Sequence, residues 1–531
     1  MSSKRCVARQ VANDPTSFAE CWDRQARERG DQPALSDRYG SLTWREAARL
    51  SRHLARGLLA LGLEPGEVVA CWFPNCVELY VLRIACERAG LIWLPIAANL
   101  REWELGAILD RARPSALVIP ERIRDRNYVA TAQALFSRLP EAPHLIISGA
   151  KSPPDGLTVD EVIQRGGHPS APSLPELSAG EGLVILPTSG STGLPKFAQF
   201  RIPAWLLRGQ AQAELLNLRD DDVILSLTQG IGPSIIPLFA APVAGAAVHL
   251  VDQFEPNTVM DTLTHLRPTI VCGVPAQLTA LVHHPDWPPK GLDRLRLWYS
   301  TGARLPRATA ETLEATTTGI ALSGYGGMDF GGWAVPLPSD PPAIRYDTVG
   351  RPRGGTELRL VDETGRDVQA GEVGEIWGRG PCCASGYFRD EAATRERWTP
   401  GGWFRTEDLG RLDPSGNLVI VGRKGEVIRR GSRSIHPGEI EELLSGHPKI
   451  LKVAVVGLPD SLLGERACAF VVPKPGEVMT LEEMTSYLRA QRIASFKLPE
   501  RLELLTDLPF KGDKIDRATL RQATRKKIRE S

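Results

Sequence analysis

The stretch Thr188-Ser-Gly-Ser-Thr-Gly-Leu-Pro-Lys196 decides how this chain is organised, and it directly follows a short apolar run at 183–186. Its two glycines let the backbone approach a ligand closely. Four hydroxyl side chains, exposed amides and Lys196 can bind the oxygens of a phosphate group. The GxxxxGK[ST] spacing of a Walker loop is absent, and a polar Ser/Gly loop is the alternative when the stretch is taken alone.

Around this loop, short β-rich runs alternate with helical stretches. Residues 42–61 form an amphipathic helix with its lead-in, which ends at Gly62, and residues 78–89 form another helix after a strand at 68–72. Further strands are predicted at 116–119, 145–148, 183–186, 223–227, 247–251, 269–272 and 319–322. Such alternation predicts an α/β fold with largely parallel sheets covered by helices.

The pattern changes twice towards the C-terminus. After about residue 355, strands at 357–361, 374–378 and 418–421 are joined by Gly, Pro and Asp turns, which predicts a β subdomain. After Arg423, helices at 440–444 and 481–491 alternate with strands at 453–457 and 467–472. We therefore predict an N-terminal domain at 1–424, with its β subdomain at about 345–424, and a small mobile α+β domain at 425–531.

Composition excludes several classes of protein. The chain has 531 residues with a net charge of +1, so nothing global indicates binding to nucleic acid. The most apolar window, 231–251, contains three prolines and is better explained by a buried helix and strand than by a membrane span. Residues 1–17 have no apolar stretch, so we expect no secretory signal, and the nine scattered cysteines lack metal-ligand spacing. We expect a cytoplasmic monomer or homodimer.

The loop TSGSTGLPK resembles the phosphate loop of the acyl-adenylate-forming (AMP-binding) enzymes, which include acyl-CoA synthetases and aryl-acid ligases. Six further motifs of that superfamily follow in the same order: Ser300-Thr-Gly-Ala-Arg-Leu-Pro306, Tyr325-Gly-Gly-Met-Asp329, 371–387, 402–409, 422–441 and 508–517. Leu42-Thr-Trp-Arg-Glu46 is similar to a weaker N-terminal signature. The resemblance thus covers nearly the whole chain, and it implies an ATP-dependent carboxylic acid ligase.

The resemblance also implies roles for individual residues. Tyr325 would stack on adenine, and Asp408 would accept both ribose hydroxyls with Arg423 beside it. The remaining ATP- and AMP-binding residues would be Thr188, Ser189, Gly190, Ser191, Thr192, Gly193, Lys196, Gly302, Ala303, Gly326, Gly327 and Met328. Each has an ordinary alternative, since a lone Asp in a turn is usually a cap and Tyr325 could belong to the core.

Three residues would carry the chemistry: Lys196, Asp329 and Lys514. Asp329 stands where the family has a Glu that holds Mg²⁺, and its carboxylate is a hard oxygen ligand. Lys514 would be the mobile C-terminal lysine that contacts the carboxylate and the α-phosphate, or else a solvated surface lysine. Adenylation needs alignment and charge neutralisation more than acid–base chemistry.

Besides Asp329, four further features of the sequence depart from the family pattern. Met328 replaces a phosphate-binding Thr, and Glu407 replaces the Gly of the common TGD. Gly425 occupies the hinge position that is usually Asp or Lys, and a glycine still permits a large backbone rotation there. The last motif is one residue shorter before Lys514, with Asp513 in place of a Gly.

The acyl pocket would be lined by the segment after the strand at 223–227 and by Trp333. Its predicted residues are Gln229, Gly230, Ile231, Ile235 and Trp333. This lining favours an apolar acid, whether cyclic, aryl or medium-chain, over acetate or an amino acid. Amino-acid activation also requires a second Asp for the ammonium group, for which the sequence offers no candidate.

The acceptor of the acyl group stays open at this point. Gly431 and Arg433 match positions that line the pantetheine tunnel in CoA ligases, which favours CoA, although a solvated basic face is an equal alternative. An amine acceptor, as in coronafacate-type ligases, is the second possibility and a carrier-protein pantetheine the third. A non-catalytic AMP-binding regulator is a remote one.

Overall fold

A computed structural model describes residues 15–139, 141–149, 156–176, 182–188, 196–228, 236–331, 333–430, 433–460, 463–511 and 514–530. The elements up to residue 188 are α1 (Phe18–Arg29), β1 (Pro33–Ser36), β2 (Ser41–Thr43), α2 (Trp44–Ala60), β3 (Val68–Phe73), α3 (Val77–Ala89), β4 (Ile92–Ala97), α4 (Glu102–Ala112), β5 (Ala116–Pro120), β6 (Arg122–Ile123), β7 (Arg126–Asn127), α5 (Tyr128–Phe136), β8 (His144–Ser148), β9 (Leu157–Thr158), α6 (Val159–Gly167) and β10 (Leu183–Thr188).

The next elements, up to residue 352, are β11 (Lys196–Arg201), α7 (Ile202–Leu215), β12 (Val223–Ser226), a π-helical turn (Ile236–Ala240), α8 (Ala241–Ala244), β13 (Ala247–Leu250), α9 (Pro256–Leu266), β14 (Ile270–Gly273), α10 (Pro275–Val282), β15 (Leu297–Thr301), α11 (Arg307–Thr316), β16 (Ile320–Gly326), β17 (Trp333–Val335), α12 (Pro342–Asp347) and β18 (Arg351–Pro352).

The last elements are β19 (Glu357–Val361), β20 (Gly374–Arg379), β21 (Gly386–Tyr387), α13 (Glu391–Arg397), β22 (Phe404–Leu412), β23 (Leu418–Arg423), β24 (Ile428–Arg430), β25 (Arg433–Ile435), α14 (Pro437–Ser445), β26 (Ile450–Asp460), β27 (Gly464–Pro473), α15 (Leu481–Ala490), β28 (Arg501–Leu504), β29 (Phe510–Lys511), β30 (Lys514–Ile515) and α16 (Arg517–Glu530).

Two large sheets form the body of the described N-terminal part. One has nine strands in the order β18-β17-β16-β15-β14-β12-β13-β1-β2, and the other has eight in the order β21-β11-β10-β4-β3-β5-β8-β9. The central strands β12 to β16 run parallel, with Cys272 opposite Tyr299 and Ser300 opposite Ser323. The predicted α/β class with parallel sheets is confirmed. Because parallel strands end at one edge, the segments after β15 and β16 lie side by side.

Helix α2 shows how local sequence fixes these layers. The Thr43 side chain accepts from the Glu46 N–H and the Glu46 side chain accepts from the Thr43 N–H, so a capping box starts the helix where the sequence predicts it. Its apolar stripe, including Leu54 and Leu58, is buried in the core between the two large sheets. The same core holds the aromatic group of Phe18, Trp205 and Phe239.

Two smaller sheets follow in the described chain. Strands β19, β20, β22 and β23 form an antiparallel sheet, which agrees with the predicted β subdomain. Strands β24 to β28 form a separate sheet, on which α14 and α15 pack through Ile440, Leu444 and Leu488. This is the predicted small α+β unit, and β26 is longer than its predicted core at 453–457. The domain boundary at 424/425 stays a prediction.

None of the helices in the described chain is both long and apolar enough to cross a membrane. The apolar window at 231–251 contains the π-helical turn, α8 and β13 over its described part, as the buried helix and strand predicted there.

Candidate active site

Strands β10 and β11 hold the two ends of the phosphate loop. Thr188 ends β10 and pairs in register with Lys196, which begins β11. Residues 189–195, including the predicted ligands Ser189, Gly190, Ser191, Thr192 and Gly193, lie outside the described residues. The Lys196 ammonium lies 5.2 Å from the centre of the Tyr387 ring and 3.8 Å from Glu396. The antiparallel hairpin therefore presents a hydroxyl and a cation at the same end of the sheet.

The predicted adenine and ribose residues meet beside this hairpin. The Tyr325 hydroxyl at the end of β16 donates to Asp408 at 2.9 Å, and Arg423 forms an ion pair with the same carboxylate at 3.0 Å. Burial raises the pKa of Tyr325, so its ring is neutral. Gly302 and Ala303 follow the end of β15 and are exposed, with Gly302 at a positive φ of 93°. The arrangement brings together the aromatic ring and the carboxylate that the sequence predicts for adenine and ribose.

Asp329 lies between the hairpin and the Tyr325 turn. Its carboxylate accepts a hydrogen bond from the Tyr387 hydroxyl at 3.1 Å. Burial raises the pKa of Asp329, while a hydrogen bond from the Thr188 side chain and the charge of Arg397 act in the opposite direction. The predicted metal ligand is therefore brought beside both ends of the phosphate loop.

The neighbours of Asp329 in the turn have different surroundings. Gly326 pairs with Trp333 across β16 and β17, and a Cβ on Gly327 would lie 2.9 Å from the Phe330 ring, so no larger residue fits there without a shift. Met328 packs against the apolar core, so its thioether does not take the place of the hydroxyl that the family has. Nothing is described of the Trp333 side chain, and Gln229, Gly230, Ile231 and Ile235 lie outside the described residues.

Sequence reasoning missed one partner of the site, Arg397. Glu407 has a positive φ of 63°, and its carboxylate accepts from Arg397 at 2.9 Å. Burial alone would lower the pKa of Arg397, but the hydrogen bond and charge of Glu407 raise it. Glu407, which departs from the family pattern, is therefore paired with a cation, Arg397. The only sequence signal was the replacement of the Gly in TGD, because nothing in the local pattern pairs residues 397 and 407.

The predicted C-terminal residues are placed only in part. Gly425 lies in a 3-10 turn at Lys424–Glu426, where Lys424 forms an ion pair with Glu375 at 3.3 Å. The Arg433 guanidinium stacks 4.7 Å above the Phe496 ring, and Gly431 lies outside the described residues. Lys514 begins β30, and nothing is described of its side chain, so its proposed catalytic role is untested.

Comparison with known proteins identifies the family to which this chain belongs. The family model described as "AMP-binding enzyme" matches residues 22–388, and that of the AMP-binding enzyme C-terminal domain matches 439–513. The chain belongs to the AMP-binding enzymes. It is therefore an acyl-adenylate-forming ligase that uses ATP.

Relatives include both aryl-acid and fatty-acid ligases. The chain is 32% identical over 513 residues to a salicylyl-CoA synthase / salicylate adenylyltransferase of Streptomyces sp, covering 94% of this chain and 92% of the relative. It is 30% identical over 499 residues to a medium-chain fatty-acid–CoA ligase of Escherichia coli (strain K12), covering 93% and 88%.

Solved structures share the whole fold. The anthranilate CoA ligase AuaEII in complex with anthranoyl-AMP has a TM-score of 0.87 at 24% identity, over 97% of this chain and 98% of that one. The amide bond synthetase McbA from Marinactinospora thermotolerans has a TM-score of 0.82 at 25% identity, over 95% and 99%.

Proposed function

We propose that this AMP-binding enzyme activates an aryl or other cyclic acid and transfers the acyl group to the thiol of CoA. The meeting of Tyr325, Asp408 and Arg423 beside Thr188, Lys196 and Asp329 carries the proposal, because it joins a nucleoside site to a phosphate site. In the first step a carboxylate oxygen attacks the α-phosphorus of ATP, and the bond to the β-phosphate oxygen breaks with release of pyrophosphate. In the second step the thiol displaces AMP and loses its proton to solvent.

Mg²⁺ is the cation that we propose for the phosphate site. Among the described residues no cluster of three metal-ligating side chains exists, and Asp329 with the neighbouring Thr188 hydroxyl supplies few but hard oxygen donors. Such a donor set fits an ion that keeps several waters and takes its other ligands from phosphates. When bound, Mg²⁺ would neutralise negative charge on the phosphates.

This chain's own residues do the positioning. Tyr325 and Asp408 would fix the nucleoside, and Lys196 would neutralise phosphate charge. Lys514 would contact both the carboxylate and the α-phosphate. The AMP-binding relatives named for salicylate support an aryl acid, and the predicted apolar lining at 229–236 supports an apolar body for that acid. The eight cysteines within the described chain are free thiols, which supports a reducing compartment, and we propose the cytoplasm.

The test is ATP–pyrophosphate exchange across a panel of aryl, cyclic and medium-chain acids. We expect acid-dependent exchange, with AMP and pyrophosphate as products. If the preferred acid yields ADP and phosphate, the proposal is wrong. Adding CoA should then convert the adenylate to an acyl thioester that mass spectrometry identifies.

An amine acceptor is the second candidate, because the fold matches the amide bond synthetase McbA over 95% of this chain. Repeating the assay with CoA, with an amine panel and with both together decides between them. Release of AMP that depends on the amine, with an amide product and no thioester, would replace CoA by the amine. A carrier-protein thiol is the third acceptor to include, since a salicyl-AMP ligase / salicyl-S-ArCP synthetase of Mycobacterium tuberculosis (strain ATCC 25618 / H37Rv) is 32% identical.

A further inference from the structure

Helix α7 carries two polar side chains into the interior, and each has at least one atom without a hydrogen-bond partner in the described chain. Arg208 is 7% exposed and Gln212 is fully buried, and their spacing of four residues places them on one face of the helix. Within the described chain, the Arg208 Nε and both amide atoms of Gln212 have no hydrogen-bond partner. Buried polar groups in native proteins are nearly always paired, so this face requires an explanation.

No negative charge compensates Arg208 among the residues described. The groups that act on it are Cys382, Tyr299 and Cys383, after burial itself, which lowers the pKa of the guanidinium. Burial raises the pKa of Cys382 to about 11, and the pKa values of Cys383 and Tyr299 to about 12, so all three are neutral at pH 7. Arg208 therefore holds its charge among neutral groups.

A second buried arginine in the same core has a carboxylate beside it, although its Nε and Nη2 atoms also lack a hydrogen-bond partner. Arg83 is 1% exposed, lies 3.4 Å from the Glu87 carboxylate and stacks 4.1 Å over the Phe18 ring. Arg208 has no described counterpart to Glu87. Since an unpaired charge in the interior is expensive, a partner that arrives with a ligand is a physical reason for keeping it.

The residues around Arg208 belong to segments that lead, along the chain, to the predicted acyl-pocket residues. The π-helical turn that begins at Ile236, directly after the predicted pocket segment 229–235, packs on α7. The ring centres of Phe239, in that turn, and Trp205 are 4.3 Å apart. A Cβ added to Gly209 would be only 2.6 Å from the Phe239 carbonyl oxygen. Cys382, which also acts on Arg208, lies close to Gly331: a Cβ added to Gly331 would be 2.5 Å from the Cys382 carbonyl oxygen.

Gly331 stands two residues before Trp333, the other predicted pocket residue, and Tyr299 stands three residues before Gly302 of the predicted adenine pocket. Arg208 is thus near residues of the two segments that continue into the predicted acyl and adenine pockets. Gln212 lies beside Tyr299, close enough for its amide to lower the pKa of the phenol, although neither amide atom reaches hydrogen-bond geometry.

We propose that Arg208 and Gln212 form the far wall of the acyl pocket and recognise an oxygen acceptor on the acid, at the end remote from the reacting carboxylate. The inference rests on the proposed function and refines it: the body of the acid is apolar, and its far end carries a hydroxyl, carbonyl or carboxylate oxygen. A guanidinium binds such oxygens in a bidentate fork, and an amide can both donate and accept. An acid without the acceptor leaves Arg208 unpaired and is rejected.

The experiment compares kcat/KM in ATP–pyrophosphate exchange for matched aryl acids, either unsubstituted or carrying a distal hydroxyl, acetyl or carboxylate group. We expect the wild-type enzyme to prefer at least one acceptor-bearing acid by roughly 10-fold or more, the range for a charge-assisted hydrogen bond. Arg208→Met and Gln212→Leu should each reduce that ratio while the KM for ATP stays unchanged. Arg208→Lys should keep part of it, and Glu214→Gln, on the exposed face of the same helix, should keep all of it.

Melting temperatures measured with each acid test the inference independently of turnover. Acceptor-bearing acids should raise the melting temperature of the wild-type protein more than the unsubstituted acid does, and Arg208→Met should remove the difference. An equal preference ratio in wild type and Arg208→Met, or a wild-type preference for the unsubstituted acid by both readouts, would overturn the inference. Loss of exchange with every acid, together with a retained difference in melting temperature, would instead count against the proposed function alone.

Discussion

Glu407 occupies a backbone conformation that side chains seldom adopt, with φ at 63°. A residue with a Cβ in this region costs about 1 kcal/mol relative to glycine, and Glu407 offsets it through its bond to Arg397. We predict that Glu407→Ala, which keeps the strain and loses the bond, is less stable than Glu407→Gly by about 1 kcal/mol. Urea unfolding of both variants measures this, with Gly416→Ala, at φ 82° in open space, as the control for the backbone penalty. Equal stability of the two Glu407 variants would contradict the strain argument.

Asp329 is the residue at which metal dependence can be tested. Since burial raises the pKa of its carboxyl and its described contacts are few, Asp329→Ala should leave the fold intact while exchange falls by about 100-fold or more, on the scale of a lost electrostatic contact in a catalytic site. Asp329→Glu restores the residue type that the family has and should recover most of the activity. Exchange measured across a Mg²⁺ titration checks both. Normal activity of Asp329→Ala at low Mg²⁺ would remove Asp329 from the metal site.

At the scale of elements, the start of α2 is where local sequence acts most directly. Thr43 and Glu46 form a reciprocal capping box, and α2 packs its apolar stripe into the core between the sheets. Thr43→Ala should lower the free energy of unfolding by about 1 kcal/mol, the usual effect of losing an N-cap. Thr43→Ser, which keeps the hydroxyl, should lose only a fraction of that. Thermal and urea unfolding compare the two, and an unchanged midpoint for Thr43→Ala would show that packing alone positions the helix.

Elements of this kind are also what the sequence predicts best. The helix at 42–61 has a periodic pattern and a local cap, and the strands at 223–227 and 269–272 are short, mostly apolar runs. The structure reproduces all three within two residues as α2, β12 and β14. The π-helical turn at Ile236–Ala240 gives no such signal, because its residues are uniformly apolar. Side-chain partners are harder still. Tyr325 meets Asp408 only because a nine-stranded and a four-stranded sheet of the described chain come together.

The same reason explains what was missed in the site. Arg208 on α7 lies near Cys382 and Tyr299, which belong to a loop and a strand that are distant from α7 in sequence. No spacing rule connects the three residues. The predicted proximity of Asp408 and Arg423 is found because both belong to one hairpin, β22–β23, in which they pair in register. Contacts within a single local motif were therefore predictable, whereas contacts that depend on packing between layers were not.

For the whole molecule, the connection between the two large units decides whether one site can run both half-reactions. The C-terminal unit contacts the N-terminal one through an ion pair of Arg304 with Glu442, close to the predicted adenine residues Gly302 and Ala303. Gly425 stands between β23 and β24, and a Cβ added there would meet nothing within 4 Å. Packing therefore does not require a glycine at position 425 in this arrangement. The backbone freedom of Gly425 is the property to test.

We predict that the C-terminal unit rotates about Gly425 between adenylation and acyl transfer. Lys514 and Arg433 lie in different hairpins of this unit, so they are not expected to face the acyl-phosphate together. Closure that excludes water would protect the adenylate between the two steps. Lys514→Ala should lose adenylation by about 100-fold yet still convert a supplied acyl-adenylate to product. Gly425→Pro and Gly431→Leu should form adenylate but fail in transfer, whereas Gly425→Ala, for which there is room, should perform both steps.

Single-turnover kinetics on purified variants separate the steps. Equal loss of both steps in Lys514→Ala, Gly425→Pro and Gly431→Leu would contradict rotation, and full adenylation by Lys514→Ala would show that the shortened last motif places a different lysine in the site.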